Sequence, residues 1–214
     1  TYIVMARTGG TGAPGVSAFV VEAPSQGLTC GVPFDKMGLH GSPTGELTLD
    51  DVFVPEDHLL GGEGRGFTIA MAALDAGRIG ISAQAVGLAR GALEDATRYV
   101  KERHQFGHPI AEFQGIQFML ADMATQVEAA RVMTYRAAEL CDAGRPFSQE
   151  ASMAKLFATD TAMSVAIDAV QLLGGYGYME EFAAARRMRD AKACQIYEGT
   201  NQVQRVVIAR QLLR

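Results

Sequence analysis

The hydrophobic pattern divides the chain near residue 67. Before that point, short apolar runs alternate with glycine, proline and serine turns, which predicts a meander of antiparallel β strands. The predicted strands lie at residues 2–6, 16–22, 28–34 and 46–54. Four strands with exposed edges are few for an independent sheet. We therefore interpret residues 1–66 as the second half of a β domain.

After residue 67, apolar residues recur at intervals of three and four, which predicts amphipathic helices. The positions that carry this spacing are Ala85, Leu88, Ala92, Ala96 and Tyr99, then Phe113, Ile116, Leu120, Met123, Val127 and Ala130, then Phe157, Thr161, Val165 and Leu172. Two further helices are predicted at about 181–196 and from residue 200 to the end. Long helices with short connections predict an antiparallel bundle over residues 67–214. The expected fold class is α+β, with a partial antiparallel β domain followed by an all-α up-down helical bundle.

Charge and cysteine content narrow the function classes. The formal net charge of -5 over 214 residues weighs against a nucleic-acid partner. Three widely spaced cysteines without a CxxC pair favour free thiols in a reducing compartment. We expect no membrane span and no signal peptide. Because the chain starts at Thr1 inside a predicted strand and without a methionine, we expect it to be a fragment of a longer protein.

Two patterns that could carry chemistry are better explained structurally. His104 and His108 have a spacing that suits zinc on a helix, but Gly107 and Pro109 end the helix there and no third ligand is evident. No metal site is predicted. The glycine-rich stretch 61–66 fits neither the Walker pattern nor GxGxxG, so any nucleotide cofactor must bind without a Rossmann motif.

A single carboxylate, Glu198, stands on a glycine-broken loop directly before a new amphipathic helix. That position is poor for a solvated surface charge. Backbone N–H groups and a helix N-terminus lie close to it in sequence, which suits a catalytic base. A plain connector between helices remains the alternative interpretation of this loop.

Three further stretches each have a structural explanation as well. Asp75-Ala-Gly-Arg78 is spaced as a local ion pair, Arg103-His-Gln-Phe-Gly107 as a helix end, and Gln171-Leu-Leu-Gly-Gly-Tyr-Gly177 as a glycine helix stop. Taken singly, each stretch is explained without a functional role. All of these stretches together with the Glu198 loop, in this order, fit one protein family.

The chain resembles the C-terminal half or more of an acyl-CoA dehydrogenase. Lys36-Met-Gly-Leu-His-Gly-Ser-Pro-Thr44 and Asp50-Asp-Val-Phe-Val-Pro55 are similar to the family's middle β domain. The helical part is similar to its C-terminal four-helix bundle with the closing helix. Within the family, the short-chain and branched-chain group is the most similar.

The resemblance implies FAD-dependent α,β-dehydrogenation of an acyl-CoA thioester. Glu198 matches the usual base, which removes the pro-R α-proton while a β-hydride passes to flavin N5. In the family the thioester oxygen accepts hydrogen bonds from the N–H of the base and from a ribityl hydroxyl of the flavin. Some members carry the base on an earlier helix, at the position that matches Gly77. Since glycine cannot act as a base, the resemblance assigns the role to Glu198.

The resemblance also implies roles for other residues. Substrate contacts are expected from Asp75 and Arg78 to the CoA moiety, and from Tyr197 and Gly199 beside the acyl thioester. FAD contacts are expected from Arg103 and Gln114 near the pyrophosphate and adenosine, from Gln171, Gly174 and Gly175 toward the FAD of a neighbouring subunit, and from Thr200 and Gln202 at the start of the last helix.

Partners and location follow from the same resemblance. We expect a homo-oligomer, most simply a dimer of dimers, with electron-transfer flavoprotein as electron acceptor. The expected location is the bacterial cytoplasm, or the mitochondrial matrix in a eukaryote. The family's N-terminal helical domain and first β strands are absent from the sequence, so the piece alone is expected to be inactive. The alternatives are an acyl-CoA oxidase-like enzyme and a non-catalytic helical oligomerisation module with a vestigial flavin site.

Overall fold

A computed structural model describes residues 1–213 and separates the chain into two compact units. One unit contains residues 1–36 and 40–74. The other contains residues 37–39 and the chain from residue 75 onward. The expected fold class is confirmed, because antiparallel strands precede a set of five α-helices.

The first unit holds two small antiparallel sheets. Its strands are β1 (Tyr2–Arg7), β2 (Val16–Val21), β3 (Leu28–Cys30), β4 (Leu47–Leu49) and β5 (Leu59–Leu60). β2 lies between β1 and β5, whereas β3 pairs only with β4. The strands therefore do not form the continuous meander that the turn spacing predicts.

The third and fourth strands are shorter than the predicted 28–34 and 46–54. Regular pairing ends at Cys30 on β3 and begins at Leu47 on β4. Beyond it, isolated backbone bonds continue, from Gly31 N to Glu46 O at 2.9 Å and from Phe34 N to Thr44 O at 2.8 Å. Pro33 interrupts the ladder because proline has no N–H to donate.

The second unit is built from long helices. Their bounds are α1 (Gly66–Glu102), α2 (Gln114–Asp142), α3 (Ser148–Leu173), α4 (Ala183–Cys194) and α5 (Asn201–Leu212), with the first nine residues of α1 in the other unit. A two-residue turn at Phe106 and Gly107 joins the short strands β6 (His104–Gln105) and β7 (His108–Pro109) between α1 and α2. α3 is central and packs against α2, α4 and α5.

Alanine dominates the core of the bundle. The fully or almost fully buried alanines of this core include Ala85, Ala89, Ala92 and Ala96 on α1, Ala130 on α2 and Ala158, Ala162 and Ala166 on α3. Small side chains let helices approach closely. The predicted apolar face is confirmed for most positions, but Phe113 and Phe157 are each 37% exposed.

Within residues 1–213, one helical segment meets the length and composition of a membrane span, although no such span is expected from the sequence. This segment is Ser148–Tyr178, in which an 18-residue window has a mean hydropathy of 1.3. Half of that window is buried inside the structure. Its buried face includes the ammonium of Lys155 and packs on neighbouring helices, as the core helix of a bundle does.

Candidate functional site

Glu198 lies on the turn between α4 and α5. Its backbone φ is 56°, and that of Gly199 is 85°. A residue other than glycine rarely occupies this left-handed region. Such conformations persist only where the surroundings hold them, and they concentrate at functional sites.

Thr200, the residue after this turn, is the N-cap of α5. The Thr200 side chain accepts a hydrogen bond from Val203 N at 3.3 Å and so caps the helix. This agrees with the helix start that the sequence predicts. The Glu198 N–H itself donates no hydrogen bond within residues 1–213. It is therefore free to donate to a bound molecule.

The Glu198 carboxylate lies against α1 at Gly77. A Cβ atom added to Gly77 would stand 2.5 Å from Oε2 and 2.9 Å from Cδ of Glu198. The Oε2 atom is buried and has no hydrogen-bond partner within the described chain. An unpaired buried carboxylate oxygen is costly in a folded protein. Its retention is typical of a group that acts on a ligand.

Two buried side chains, those of Gln204 and Lys155, donate hydrogen bonds to the backbone of this turn. Gln204 Nε2 donates to the carbonyl oxygens of Glu198 at 3.1 Å and Gly199 at 2.9 Å. Lys155 Nζ donates to the Gly199 oxygen at 2.9 Å and to Asn201 Oδ1 at 2.8 Å. Lys155, Asn201 and Gln204 were not among the residues predicted from sequence. Lys155 was detectable, since it lies on the same helical face as Ala151, Ala154 and Ala158.

Gly199 is tightly enclosed, which leads to a stability prediction. Alanine at φ 85° is strained by about 1–2 kcal/mol, and its Cβ would stand 2.7 Å from Gln204 Nε2. We expect Gly199→Ala to lower the free energy of unfolding by ~1–3 kcal/mol. Denaturant unfolding of the purified protein that contains this chain measures the loss.

Gly107 provides the matched control for this prediction. Its φ is 86°, but an added Cβ would have no atom within 4 Å. Gly107→Ala therefore reports the backbone strain alone. If both alanine variants lose the same amount, the contact with Gln204 contributes nothing.

Tyr197 directly precedes Glu198 in the chain, and a hydrogen bond attaches its side chain to α1. Its hydroxyl donates to Gln84 Oε1 at 2.7 Å and lies 3.6 Å from Cys194 Sγ. Burial, followed by the contact with Cys194, raises the pKa of the Tyr197 phenol well above its usual value. Burial also raises the pKa of the Cys194 thiol. Both groups therefore stay protonated at neutral pH and act as neutral neighbours of Glu198.

The predicted pair Asp75 and Arg78 forms an ion pair on α1, with Arg78 Nη1 2.6 Å from Asp75 Oδ1. Arg78 is only 6% exposed, and its Nη1 also lies 3.3 Å from Ser152 Oγ. Ser148 Oγ donates to Asp75 Oδ1 at 3.0 Å. Ser148 is the first residue of α3, and Phe147 occupies the N-cap position. The Arg78 Nε atom is buried without a partner in the described chain.

The remaining predicted residues lie at helix ends. Arg103 follows α1, Gln114 begins α2, Gln171 is in the last turn of α3, and Gln202 is in the first turn of α5; all are exposed. Gly174, with φ 59°, and Gly175 follow α3, and a Cβ on either would meet no atom within 4 Å. Within residues 1–213 no hydrogen bond or ion pair joins these residues' side chains to one another. Open glycine backbone and exposed polar side chains suit contacts to a large polar cofactor.

The histidines that are four residues apart do not stand on a helix. His104 and His108 belong to the hairpin of β6 and β7, and His108 Nδ1 lies 3.0 Å from Glu112 Oε2. In the part of the chain that the structure describes, no three histidine, cysteine, aspartate or glutamate side chains are grouped as metal ligands.

Comparison with protein families gives one match. The family profile described as acyl-CoA dehydrogenase, C-terminal domain, matches residues 64–213. An acyl-CoA dehydrogenase of Bacillus subtilis is 55% identical over 213 residues, which cover 99% of this chain. The chain spans about half of that relative, 56% of its length.

Solved structures share the fold closely. The butyryl-CoA dehydrogenase of Megasphaera elsdenii is 53% identical with a TM-score of 0.98, and the match covers all of this chain and 56% of that one. A chain from a structural study of the electron transferring flavoprotein of Acidaminococcus fermentans is 55% identical, with the same TM-score and coverage.

Proposed function

Because the chain belongs to the acyl-CoA dehydrogenase family, we propose that it supplies the base of an FAD-dependent acyl-CoA dehydrogenase. The Glu198 carboxylate takes the proton from the α-carbon of the thioester. The electrons of that C–H bond form the α,β double bond as a hydride leaves the β-carbon, and the product is trans-2-enoyl-CoA. FAD, when bound, supplies the acceptor for that hydride at N5.

One observation supports this proposal more strongly than any other. The Glu198 oxygen Oε2 is buried, has no partner among the described residues and points at the glycine backbone of α1. A base must reach the proton that it removes, at about 2.6–3.2 Å between heavy atoms. A carboxylate that is already paired within the protein is unsuited to this, whereas this oxygen has no partner among the described residues that a substrate would have to displace.

The backbone of the same residue supports activation of the thioester. An α-proton next to a thioester is a very weak acid until the carbonyl oxygen is polarised. The Glu198 N–H has no acceptor within residues 1–213, and we assign it to that carbonyl oxygen. A donor aimed at the developing oxyanion in a site without bulk water is commonly worth ~10²–10³ in rate. Tyr197 and Gly199 border the thioester in this arrangement.

The charged pair on α1 is proposed to bind the CoA moiety. Asp75 remains partly accessible, while Arg78 is nearly buried. The unpaired Arg78 Nε is a donor that the described chain leaves without an acceptor. Phosphate and carbonyl oxygens of CoA are acceptors that fit a guanidinium.

FAD is proposed to bind through the residues at the helix ends. Arg103 and Gln114 contact its pyrophosphate and adenosine part. Thr200 and Gln202 stand at the N-terminus of α5, where the helix dipole favours an anionic group. Gln171, Gly174 and Gly175 lie on an open surface and are assigned to the FAD of a neighbouring subunit.

A neighbouring subunit is itself part of the proposal. The α2 surface exposes large apolar side chains, with Phe118 and Tyr135 each 59% exposed. Phe106 at the tip of the β6–β7 hairpin is 89% exposed, and Tyr178 beyond the glycine turn is 86% exposed. Exposed apolar surface of this kind is typical of oligomer interfaces. We assign a homo-oligomer, most simply a dimer of dimers.

The direct test is reduction of the flavin by substrate. The purified protein that contains this chain, loaded with FAD, is mixed without oxygen with thioesters of increasing acyl length and branching. We expect the absorbance of oxidised flavin to disappear with short-chain acyl-CoA, because the similarity to a butyryl-CoA dehydrogenase supports short substrates. Bound FAD that no thioester reduces would contradict the proposed reaction.

The electron acceptor needs a separate measurement. We propose electron-transfer flavoprotein, and expect turnover with short-chain acyl-CoA to require it or an artificial dye. One molecule of hydrogen peroxide formed in air for each enoyl-CoA would instead identify an oxidase. A protein that binds neither FAD nor acyl-CoA would be a helical oligomerisation module.

A further inference from the structure

Lys155 is an unusual residue at the centre of α3. Its side chain is 0% exposed and is the largest of the fully buried side chains. Lysine is almost never fully buried unless it is paired. Within residues 1–213 it forms no ion pair with a carboxylate at 4 Å or less, so neutral groups must satisfy its ammonium.

The two acceptors of Lys155 lie on either side of Thr200. They are the Gly199 carbonyl at 2.9 Å and the Asn201 side-chain oxygen at 2.8 Å. The Gly199 oxygen belongs to the peptide group that directly follows Glu198. Lys155 therefore holds the C-terminal side of the left-handed turn at one point and the first residue of α5 at another.

Asn201 is itself hydrogen-bonded to α3, about one helical turn beyond Lys155. Its Nδ2 atom lies 2.7 Å from Asp160 Oδ1 and 2.9 Å from Thr159 Oγ1. Gln195 Nε2 donates to the same Asp160 oxygen at 2.7 Å, from the beginning of the turn. Both ends of the segment 195–201 are thus attached to α3.

Titratable groups from four elements influence the ammonium. The pKa of Lys155 is lowered to about 8, chiefly by burial and also by Arg78 on α1, while Cys194 on α4, Asp160 on α3 and Glu198 on the turn act in the opposite direction. At neutral pH the group remains largely cationic.

We propose that Lys155 is a positioning residue for Glu198, which fixes the Gly199 carbonyl and Asn201 so that the carboxylate stays directed at Gly77. This inference rests on the function proposed for Glu198. Lys155 touches neither substrate nor cofactor in this arrangement. It acts through the backbone of the turn.

The test replaces Lys155 with methionine, which keeps the length of the side chain and removes its charge and donors. In the FAD-loaded protein that contains this chain, we expect Lys155→Met to lower kcat per bound flavin on the order of 10²-fold, since small displacements of a reacting group have such effects. KM for acyl-CoA changes less than kcat. Lys101→Met, an exposed lysine in the last turn of α1, is the matched control and retains kcat.

Two readouts separate positioning from a general loss of structure. The first is the split between kcat, which falls in Lys155→Met, and KM for acyl-CoA, which changes little. Amide hydrogen exchange of the segment 195–204 becomes at least tenfold faster, while exchange in α2 is unchanged. The exchange measurement does not depend on activity, so it tests Lys155 even if the protein catalyses another reaction.

The possible outcomes are distinct. If Glu198→Gln is inactive while Lys155→Met keeps normal kcat and normal exchange, the Lys155 assignment is wrong and the proposed function stands. If Glu198→Gln turns over normally, the base assignment fails, and exchange alone decides on Lys155. Should Lys155→Met not fold, Lys155→Gln is measured in the same way. Loss of folded protein in both variants would assign Lys155 to stability and overturn the positioning role.

Discussion

Replacing Glu198 with glutamine is expected to leave FAD bound and to lower turnover by ~10²–10⁴-fold, the usual contribution of a general base. Glutamine has nearly the same shape, so it fits beside Gly77 on the same left-handed turn. It cannot accept the α-proton at neutral pH. The rate of flavin reduction after anaerobic mixing with acyl-CoA measures the chemical step directly, and the flavin spectrum before mixing reports FAD content.

A second glutamate provides the control for this substitution. Glu139 is exposed on α2 and faces Arg136 at 4.0 Å. Glu139→Gln removes one negative charge from the same unit and is expected to retain turnover. Flavin reduction by Glu198→Gln at a rate within a few-fold of the unchanged protein would refute the catalytic role. Loss of FAD from that variant would point to a binding role instead.

The helical part of the fold could be predicted from the sequence because the apolar residues of its core recur at regular intervals. Ala85, Ala92 and Ala96 recur on one face and are all buried. The β part was harder to predict, since the pairing of β2 with β5 joins residues about 40 positions apart. No local pattern in the chain specifies that pairing, and the short strand Leu59–Leu60 carries no alternation from which to infer it.

The candidate site was likewise only partly predictable from the sequence. A carboxylate before a glycine and a helix start made Glu198 recognisable, because those signals are local. Its supports are Lys155, 43 positions earlier, and Gln204, in the next helix, and neither contact follows from spacing. A charged residue on an alanine-lined face was the available signal for Lys155. The exposed residues Arg103, Gln114 and Gln202 remain predictions, since exposure alone does not identify a ligand.

Gly77→Ala is expected to separate stability from activity. Alanine is favoured over glycine within a helix by about 1 kcal/mol, so the substitution by itself should stabilise α1. Its Cβ would stand 2.5 Å from Glu198 Oε2 and 2.9 Å from Cδ. These atoms are the end of a flexible side chain, so the carboxylate moves away at small cost in folding energy. That movement displaces the base from the α-proton.

We therefore expect Gly77→Ala to retain or raise the midpoint of thermal unfolding while flavin reduction slows on the order of 10²-fold, as for a displacement of about 1 Å. Gly87→Ala is the control, because Gly87 lies on the same helix and an added Cβ there would meet no atom within 4 Å. It should show the stabilisation without the loss of rate. Equal rates in the two variants would mean that the carboxylate does not work from its position against Gly77, and the geometry proposed for the base would have to be abandoned.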